Sequence, residues 1–353
     1  MRKPAILLVA LAASAAAQTC DRACLENFVD QYMDALIAHN PKALPLAKNL
    51  KNTENGQRLE PGDGFWRTAS AKGAYKLFVA DPEKGEVAFM GDMREANVPV
   101  TIAIRLKVAG RQISEIEMFV VRTGINNGTG AAELEKLGKP RAAFLTAVPP
   151  NERMSREDLV KTANMYFSGL EKNDGKGNYP FADDCDRLED GQQTTNNPNF
   201  TTGSGFGNAP AAGRGARGAR GGAPATPPPP PPPPPLVNPA AMTCKAGFET
   251  GFYNFVRRIR DRRFVAVDVE RGLVFSFAFF DHPGGKYRTF KLADGRETSA
   301  GPDRPFTWEL AEVFKVSGGK IHQVEALLDQ APYGMLSGWS TLQDGMSSRA
   351  RTE

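Results

Sequence analysis

Glu312 is the first side chain whose type and setting could support acid–base chemistry. It lies in an apolar run in which, if the run is a strand, Leu310 and Phe314 share its face. A carboxylate that is kept from water has its pKa raised toward neutrality and can then donate a proton at ordinary pH. The alternative is a sheet-edge glutamate that reaches solvent or pairs with an arginine. Glu312 is therefore a candidate catalytic acid.

His282 is the second candidate catalytic residue. It follows the predicted strand Leu273–Phe280, beside Asp281 and before Pro283-Gly284-Gly285. An adjacent Asp-His pair at the end of a strand could act as a base at the mouth of a pocket. The alternative is a loop histidine that caps a turn.

Three aromatic residues are candidates for contact with a ligand. Tyr333 and Trp339 follow the last predicted strand, where a tail could fold over a pocket and stack on a ring-shaped compound. Tyr166 lies on the inner face of a predicted helix. Simple packing is the alternative for Tyr333 and Trp339, and we expect all three to be substrate-binding residues.

The elements that must position these residues occur twice. One helix face contains Leu25, Val29, Tyr32 and Leu36, and a second contains Leu159, Ala163, Tyr166 and Leu170, each 134 residues later. Both sets have the i, i+4, i+7, i+11 spacing of one face of an amphipathic helix. The second helix also begins with the capping-box pattern Ser155-x-x-Asp158.

Three further landmarks repeat in the same order. They are Glu54-x-Gly56 with Glu189-x-Gly191, Asp81-x-Glu83-basic-Gly85 with Asp268-x-Glu270-basic-Gly272, and Lys107…Glu117 with Lys315…Glu325. At the last shift, Glu312 corresponds to Ile104, and an apolar counterpart indicates an inward position. The recurrence of Asp268, Glu270 and Arg271 favours a structural role in a turn. We predict a tandem duplication, with a degenerate copy at 20–145 and a second copy at 152–340.

The flanking and inserted segments have distinct compositions. Arg2 and Lys3 precede an apolar run that ends in Ala15-Ala16-Ala17, which predicts a signal peptide at 1–17 and a secreted or periplasmic protein. A Pro/Gly/Arg-rich stretch at about 194–241, with nine prolines from Pro227 to Pro235, is expected to be disordered. Residues 341–353 are expected to form a flexible tail.

The four cysteines indicate two disulfides in an exported protein, with three pairings open. We favour Cys20 with Cys24 and Cys185 with Cys244, because the second bridge would hold the two sides of the insert together. The acidic stretch that surrounds Cys185 lacks the spacing of a calcium loop and is interpreted as a solvated loop.

Each copy is predicted to be α+β, with helices packed on one face of a curved, mainly antiparallel sheet. In the second copy a further helix is expected over Lys245–Arg260, because five apolar residues there form one helical stripe: Phe248, Phe252, Phe255, Val256 and Ile259. Two hairpins follow, with turns at Glu270-Arg271-Gly272 and Ser317-Gly318-Gly319.

At this point the residues resemble a family. Glu312-Val-Phe-Lys315, Gly318-Gly-Lys-Ile321 and Glu325 are similar to the closing hairpin of SnoaL-like domains, in the nuclear transport factor 2 and ketosteroid isomerase superfamily. The resemblance implies two cone-shaped half barrels, each with a pocket between sheet and helices. It also implies acid–base chemistry without a metal or cofactor, and a tandem that imitates a face-to-face dimer within one chain.

Composition excludes some classes of function. Lys and Arg number 44 against 40 Asp and Glu, and part of the excess lies in the insert, so a general nucleic-acid-binding role is not expected. Only three histidines occur, without paired spacing, so no metal site and no cofactor are expected. No stretch is long and apolar enough to predict a membrane span. The oligomeric state, monomer or dimer, stays open.

The sequence is compatible with two functions. The first is a secreted, cofactor-independent lyase or isomerase that acts on a small polar ring compound, sugar-like or phenolic, in the pocket of the second copy. In that function His282 would take a proton and Glu312 would orient or donate one. The alternative is a non-catalytic module that binds a small ligand or a glycan.

Overall fold

The computed structural model describes residues 20–124, 130–200 and 237–352. The predicted signal peptide at 1–17 and residues 201–236 of the predicted insert lie outside these ranges. None of the described helices is long and apolar enough to span a membrane.

The first unit is one long helix followed by six strands. Its elements are α1 (Arg22–Ile37), β1 (Leu46–Glu54), β2 (Gln57–Arg58), β3 (Ala69–Asp81), β4 (Glu86–Glu95), β5 (Val98–Ala109) and β6 (Gln112–Val121). The side chain of Asp21 caps α1 by accepting a hydrogen bond from the Cys24 amide at 2.9 Å. Two short helices, α2 (Gly130–Leu137) and α3 (Ala142–Leu145), lead to the second unit.

The second unit repeats this order with additions. Its elements are α4 (Arg156–Glu171), β7 (Phe181–Glu189), β8 (Gln192–Gln193), α5 (Cys244–Glu249), β9 (Arg258–Asp268), β10 (Leu273–His282), β11 (Thr289–Lys291), β12 (Glu297–Ser299), β13 (Phe306–Ser317), β14 (Lys320–Ala331), α6 (Leu342–Gly345) and β15 (Arg351–Thr352). Ser155 caps α4 by accepting from the Asp158 amide, as the sequence predicts.

The two large sheets have the same strand order. The first is β2-β1-β6-β5-β4-β3, and the second is β8-β7-β14-β13-β10-β9 with β15 added at its edge. In each sheet the strand after the helix pairs parallel to the last long strand, β1 with β6 and β7 with β14. The fold is therefore α+β, with two helix-and-sheet units in tandem.

The sheets pack against each other through a shared apolar core. It contains residues from both units: Tyr75, Leu77, Val79, Ala88, Met90, Ala103, Phe119, Val121, Leu134, Phe144, Val265, Ala266, Leu273, Phe275, Phe277, Ala311, Val313 and Leu327. Because successive strand residues point to opposite faces, Ala311 and Val313 face this core while Leu310 and Phe314 face α4. Burial on both faces explains why β10 reads as a nearly continuous apolar run.

Two reciprocal ion pairs join the units. Arg22 of the first unit donates to the Asp268 carboxylate at 2.8 Å, and Arg156 of the second donates to that of Asp81 at 2.7 Å. These four residues are repeat counterparts, so each unit makes the same contact with the other, as in an isologous interface. The recurring Asp81 and Asp268 thus connect the two units in addition to lying at hairpin turns.

The predicted helix over Lys245–Arg260 is confirmed only as far as Glu249 and is wrong beyond it. α5 ends at Glu249, Gly251 adopts a left-handed conformation with φ 73°, and β9 already begins at Arg258. Phe248 lies in α5, whereas Phe252 and Phe255 are buried in the 3₁₀ turn that follows it. Pairing of the arginine-rich segment with β10 outweighs its helical periodicity.

The expected flexible tail is also incorrect for residues 341–352. α6 and β15 lie in this segment, and β15 pairs parallel to β9. The buried Asp261 carboxylate accepts hydrogen bonds from Ser337 at 2.7 Å, from Ser340 at 2.5 Å through its hydroxyl and from Arg351 at 2.5 Å. These contacts fix the segment to the second sheet.

Both favoured disulfide pairings are confirmed. Cys20 is bonded to Cys24, with Cα atoms 5.3 Å apart, and Cys185 is bonded to Cys244, with Cα atoms 5.8 Å apart. The second bridge joins β7 to the start of α5. Backbone hydrogen bonds from Asn196 to Met242 and from Asn197 to Ala240, each 2.8 Å, hold the same two segments together.

Candidate active site in the second unit

The second unit contains a small internal cavity between α4 and its sheet. The cavity is lined by Tyr166, Leu170, Arg187, Glu189, Tyr253, Val256, Phe280, His282, Trp308, Glu312, Ala326 and Leu328. Its free volume is about 20 Å³. A water molecule needs roughly 10–15 Å³ by this measure, so the cavity has room for about one water as it stands.

Glu312 lies on the floor of this cavity. It sits on β13 opposite Ala326 of β14, and only 3% of its surface is exposed. Burial raises the pKa of Glu312 to about 8, and the nearby negative charge of Glu189 adds to the effect, whereas Arg187 and the Tyr166 hydroxyl lower it. The carboxyl group is therefore mostly protonated at neutral pH and can act as a proton donor.

Arg187 and Glu189 form a buried ion pair at the same end of the cavity. Both lie on β7, two residues apart and hence on one face, and Arg187 Nη2 contacts Glu189 Oε1. Arg187 Nη1 also donates to the Tyr253 hydroxyl at 3.0 Å. The guanidinium carbon is 5.6 Å from the Tyr166 ring centre and 5.3 Å from that of Tyr253. The positive charge is thus neutralised by Glu189 and enclosed by aromatic rings.

Glu189 and Glu312 face each other across one small residue. Ala326 pairs with Glu312 on one side and with Glu189 on the other. Because neighbouring strands are about 4.8 Å apart, the two glutamate Cα atoms are separated by roughly 10 Å. The alanine methyl group between them leaves the space that forms the cavity floor.

Three polar atoms of this cluster have no hydrogen-bond partner. Within the described part of the chain, Arg187 Nε, Glu189 Oε2 and Glu312 Oε2 are buried and unpaired. A buried polar atom without a partner is costly, by about 1–3 kcal/mol, and more for a charged group. Such atoms in a cavity indicate a bound water or a ligand.

His282 lies at the other end of the cavity. It pairs with Phe306, whereas Ser276, six residues earlier on β10, pairs with Glu312. At about 3.4 Å per residue, His282 and Glu312 are roughly 20 Å apart along the strands. The residue pairs Phe280–Trp308 and Ala278–Leu310 lie between them. The two predicted catalytic side chains line one cavity, but their backbone positions lie toward its opposite ends.

The imidazole of His282 is buried and uncharged. Burial lowers its pKa to about 4, against the opposing effects of the Phe280 carbonyl and the Asp281 charge. Since a carbonyl only accepts, His282 Nδ1 donates to Phe280 O at 3.0 Å, which leaves Nε2 as an acceptor. The ring stacks on Phe306, with centroids 4.7 Å apart.

Asp281 and His282 do not form the expected pair in which an aspartate supports a histidine base. As the residue before His282 in a strand, Asp281 points to the opposite face. Its carboxylate accepts hydrogen bonds from Arg258 at 2.7 Å, Arg260 at 3.0 Å and Thr307 at 2.7 Å. Asp281 is thus part of an ion-pair network on the other side of the sheet.

Of the three aromatic residues predicted to contact a ligand, only Tyr166 lines the cavity. Tyr166 is buried. Trp339 lies instead on the first unit, where its Nε1 donates to Thr53 Oγ1 at 2.8 Å and Lys51 Nζ is 3.8 Å from its ring centre. Tyr333 is 47% exposed and is not part of the cavity lining. The segment after β14 runs toward the first sheet rather than over the cavity, because Ser337 and Ser340 are bound to Asp261.

The first unit does not repeat this cluster of charged residues. Its strand pairing places Ile104 at the position of Glu312 and Met118 at that of Ala326, with Asn52 at that of Arg187. Glu54 matches Glu189 but accepts a hydrogen bond from the Phe65 amide at 2.7 Å. The cluster of a buried glutamic acid and an Arg–Glu pair is thus a feature of the second unit.

Sequence reasoning missed Arg187, Glu189 and Tyr253. The acidic stretch was interpreted as a solvated loop, but it forms β7, in which Arg187 and Glu189 are buried. The recurrence of Glu54 as Glu189 was the available indication. Among the described residues, no group of three or more His, Cys, Asp or Glu side chains is arranged to hold a metal ion.

A family model described as a domain of unknown function, DUF8021, matches residues 18–120 and 152–328. The chain belongs to this family. The two matched stretches begin at the two long helices, one in each unit. No curated protein matches the chain. A solved structure, described as a de novo designed protein with a curved β-sheet, is 12% identical with a TM-score of 0.23, covering 50% of this chain and 88% of its own.

Proposed function

We propose that the second unit of this DUF8021 protein is a cofactor-independent lyase or isomerase that acts on a small polar compound by acid–base chemistry. The observation that carries the proposal is the pair of carboxyl groups, Glu312 and Glu189, held across Ala326 in one small, partly enclosed cavity. One of the two is mostly protonated and the other is balanced by an arginine. A proton donor and a proton acceptor that face one cavity are the minimum equipment for moving a proton between carbon and oxygen.

In the proposed reaction Glu189 takes a proton from a carbon next to a carbonyl group. Glu312 donates its proton to the carbonyl oxygen, so that a neutral enol forms and no charge accumulates in the cavity. In an isomerisation, protonated Glu189 returns the proton to the former carbonyl carbon, and ionised Glu312 takes the proton of the hydroxyl group on the neighbouring carbon, which becomes the new carbonyl carbon. In an elimination, a hydroxyl group on the carbon next to the deprotonated one takes the proton from Glu189 and leaves as water, while Glu312 takes back the enol proton. Arg187 positions Glu189, and His282, six residues along β10 from the strand partner of Glu312, takes no part in these steps.

The finer features implied by the sequence belong to the same proposal. The likeness to SnoaL-like domains and the cone-shaped half barrel are supported by the helix-first order and by the closing hairpin of β13 and β14 with its turn at Ser317–Gly319. Export by a signal peptide is supported by the two disulfides, which form in oxidising compartments. The face-to-face packing of the two sheets supports the view that the tandem imitates a dimer.

A non-catalytic binding module is the second candidate. The small free volume of about 20 Å³ favours it, because a ring compound enters only if the lining side chains move. A binding protein tolerates such a slow, ligand-induced opening more readily than an enzyme does.

Deuterium exchange separates the two candidates. An acid–base enzyme incubated in D₂O with a panel of small hydroxy-carbonyl compounds replaces a carbon-bound hydrogen by deuterium, which ¹H NMR detects without knowledge of the product. We expect exchange with the native protein and a loss of at least 100-fold with Glu312→Gln or Glu189→Gln. Glu309→Gln, which neutralises a buried glutamate of the same strand outside the cavity lining, is the matched control. Ligand binding without exchange in the native protein would favour the module and reject the enzyme.

A further inference from the structure

We infer that the cavity of the second unit selects a neutral ligand that carries a hydroxyl group beside a carbonyl group, and that it rejects carboxylates. The inference rests on the proposed function in placing the ligand in this cavity, and it names the chemical class of that ligand. It is drawn from the charge balance, the unpaired atoms and the size of the site.

The charges of the cavity compensate each other. Arg187 is the one cation among the lining residues, and its charge is balanced by Glu189 in direct contact. Arg187, Glu189 and Glu312 are each less than 5% exposed. A carboxylate ligand would have to lose its hydration here, meet the negative charge of Glu189 and compete with it for Arg187. Burial of an ion without a free counter-ion is strongly unfavourable.

A ligand that pairs the unpaired polar atoms of this cavity must have both a hydrogen-bond acceptor and a hydrogen-bond donor. Arg187 Nε is a donor without a partner, and Glu189 Oε2 is an acceptor without one. Glu312 Oε2, across Ala326, is unpaired as well. A carbonyl oxygen can accept from Arg187 and Glu312, while a hydroxyl group one bond away can donate to Glu189. A hydroxy-carbonyl compound therefore satisfies all three atoms, and a simple hydrocarbon ring satisfies none.

The free volume of about 20 Å³ holds about one water, so even a ligand of a few heavy atoms enters only if the lining side chains move. Consecutive residues on one face of a strand are about 7 Å apart, so the Arg187 and Glu189 backbones are separated by roughly that distance. A second small cavity, of about 10 Å³, shares Arg187, Glu189 and Tyr253 with the first as its wall. A larger ligand can extend into it only if Tyr253 moves. The smallest ligands therefore test binding in the first cavity most directly.

Hydroxyacetone and glycolate form a matched pair of probes. They have the same number of heavy atoms and the same hydroxyl group, and they differ in a methyl group against a carboxylate oxygen. Each is titrated into the full-length protein while the ¹H–¹³C resonance of the Ala326 methyl group is observed. We expect hydroxyacetone to shift this resonance with saturation, and glycolate to bind at least tenfold more weakly.

Two variants link the result to the cavity. Ala326→Met introduces the residue that the first unit has as Met118, fills the floor and should abolish the binding of both probes. Glu189→Gln leaves the charge of Arg187 uncompensated and should raise the affinity for glycolate relative to hydroxyacetone by at least tenfold. Ala326→Val, a smaller change, replaces the methionine variant if circular dichroism shows that the latter does not fold, and binding is then followed by saturation-transfer NMR of the probes.

The inference is overturned if glycolate binds the native protein as tightly as hydroxyacetone, if neither probe perturbs Ala326, or if Ala326→Met and Ala326→Val leave binding intact. Failure of the proposed enzyme function looks different. In that case hydroxyacetone binds as expected, but its carbon-bound hydrogens do not exchange with D₂O.

Discussion

Replacement of Glu312 by glutamine should change how the stability of the protein depends on pH. Burial raises the pKa of Glu312 from 4.5 to about 8 in the folded protein. Between these values the folded chain retains a proton that the unfolded chain has released. Stability must therefore fall as the pH rises from about 4.5 to about 8, and it must level off above that range. Glutamine has nearly the same shape but no proton to lose, so this contribution disappears.

The magnitude follows from the same two pKa values. One pKa unit corresponds to about 1.36 kcal/mol, so ionisation of Glu312 in the fold costs on the order of 5 kcal/mol at pH 9. At pH 5 the carboxyl group is still protonated in the fold, and the variant should be within about 1 kcal/mol of the native protein, the usual limit for an isosteric change. At pH 9 the Glu312→Gln variant should be the more stable protein by several kcal/mol.

Urea unfolding at pH 5, 7 and 9, followed by circular dichroism, measures this difference. Glu309 and Glu325 add their own pH dependence, because burial raises their pKa values to about 8 and about 7. The quantity to compare is therefore the difference between variant and native protein at each pH. Parallel curves, with a constant offset from pH 5 to pH 9, would refute the reasoning and show that Glu312 is ionised in the fold.

Three further predictions concern contacts between the units and within each of them. Arg156→Ala and Arg22→Ala each leave a buried aspartate without its arginine. Each should lower the free energy of unfolding by about 2–3 kcal/mol, the usual value for charged hydrogen bonds. Urea unfolding measures both losses, and unequal losses would contradict the twofold relation of the units. Replacement of Cys185 and Cys244 by serine opens a loop with a sequence separation of 59 and should lower the free energy of unfolding by about 4 kcal/mol. The same replacement of Cys20 and Cys24, with a separation of 4, should lower it by about 2 kcal/mol. Equal shifts in melting temperature for the two variants would contradict this prediction. Trp339→Ala removes the contacts with Thr53 and Lys51 and should speed proteolysis after β14 without altering the binding of hydroxyacetone; a loss of that binding would show that Trp339 does act on the cavity.

Much of the fold follows from the sequence because duplication provides a second copy of each pattern. The spacing of Tyr32 and Tyr166 locates both long helices, and the repeated Asp81 and Asp268 locate corresponding hairpin turns. The residues between α5 and β9 were misread because their aromatic residues fit a helical stripe, and the sequence does not show that β10 is available as a pairing partner. Periodicity within a segment carries no information about the pairing of β9 with β10.

The candidate site was predicted only in part. Glu312 is recognisable because its counterpart Ile104 is apolar, which marks an inward-facing position. Arg187 and Glu189 were missed because a short charged stretch looks solvated until a neighbouring strand buries it. The distance between His282 and Glu312 depends on strand register, and no sequence pattern reports whether two residues of different strands stand side by side or at opposite ends of a cavity.

The most direct test of the account is a titration of the Glu312 carboxyl group by ¹³C NMR, with the Glu312→Gln variant used to assign the resonance. We expect a midpoint near pH 8 in the native protein, and a lower midpoint when Ala326→Gly admits water to the cavity floor. A midpoint near the ordinary value of about 4.5 would mean that the carboxyl group is ionised at neutral pH, and the cavity would then hold no proton donor.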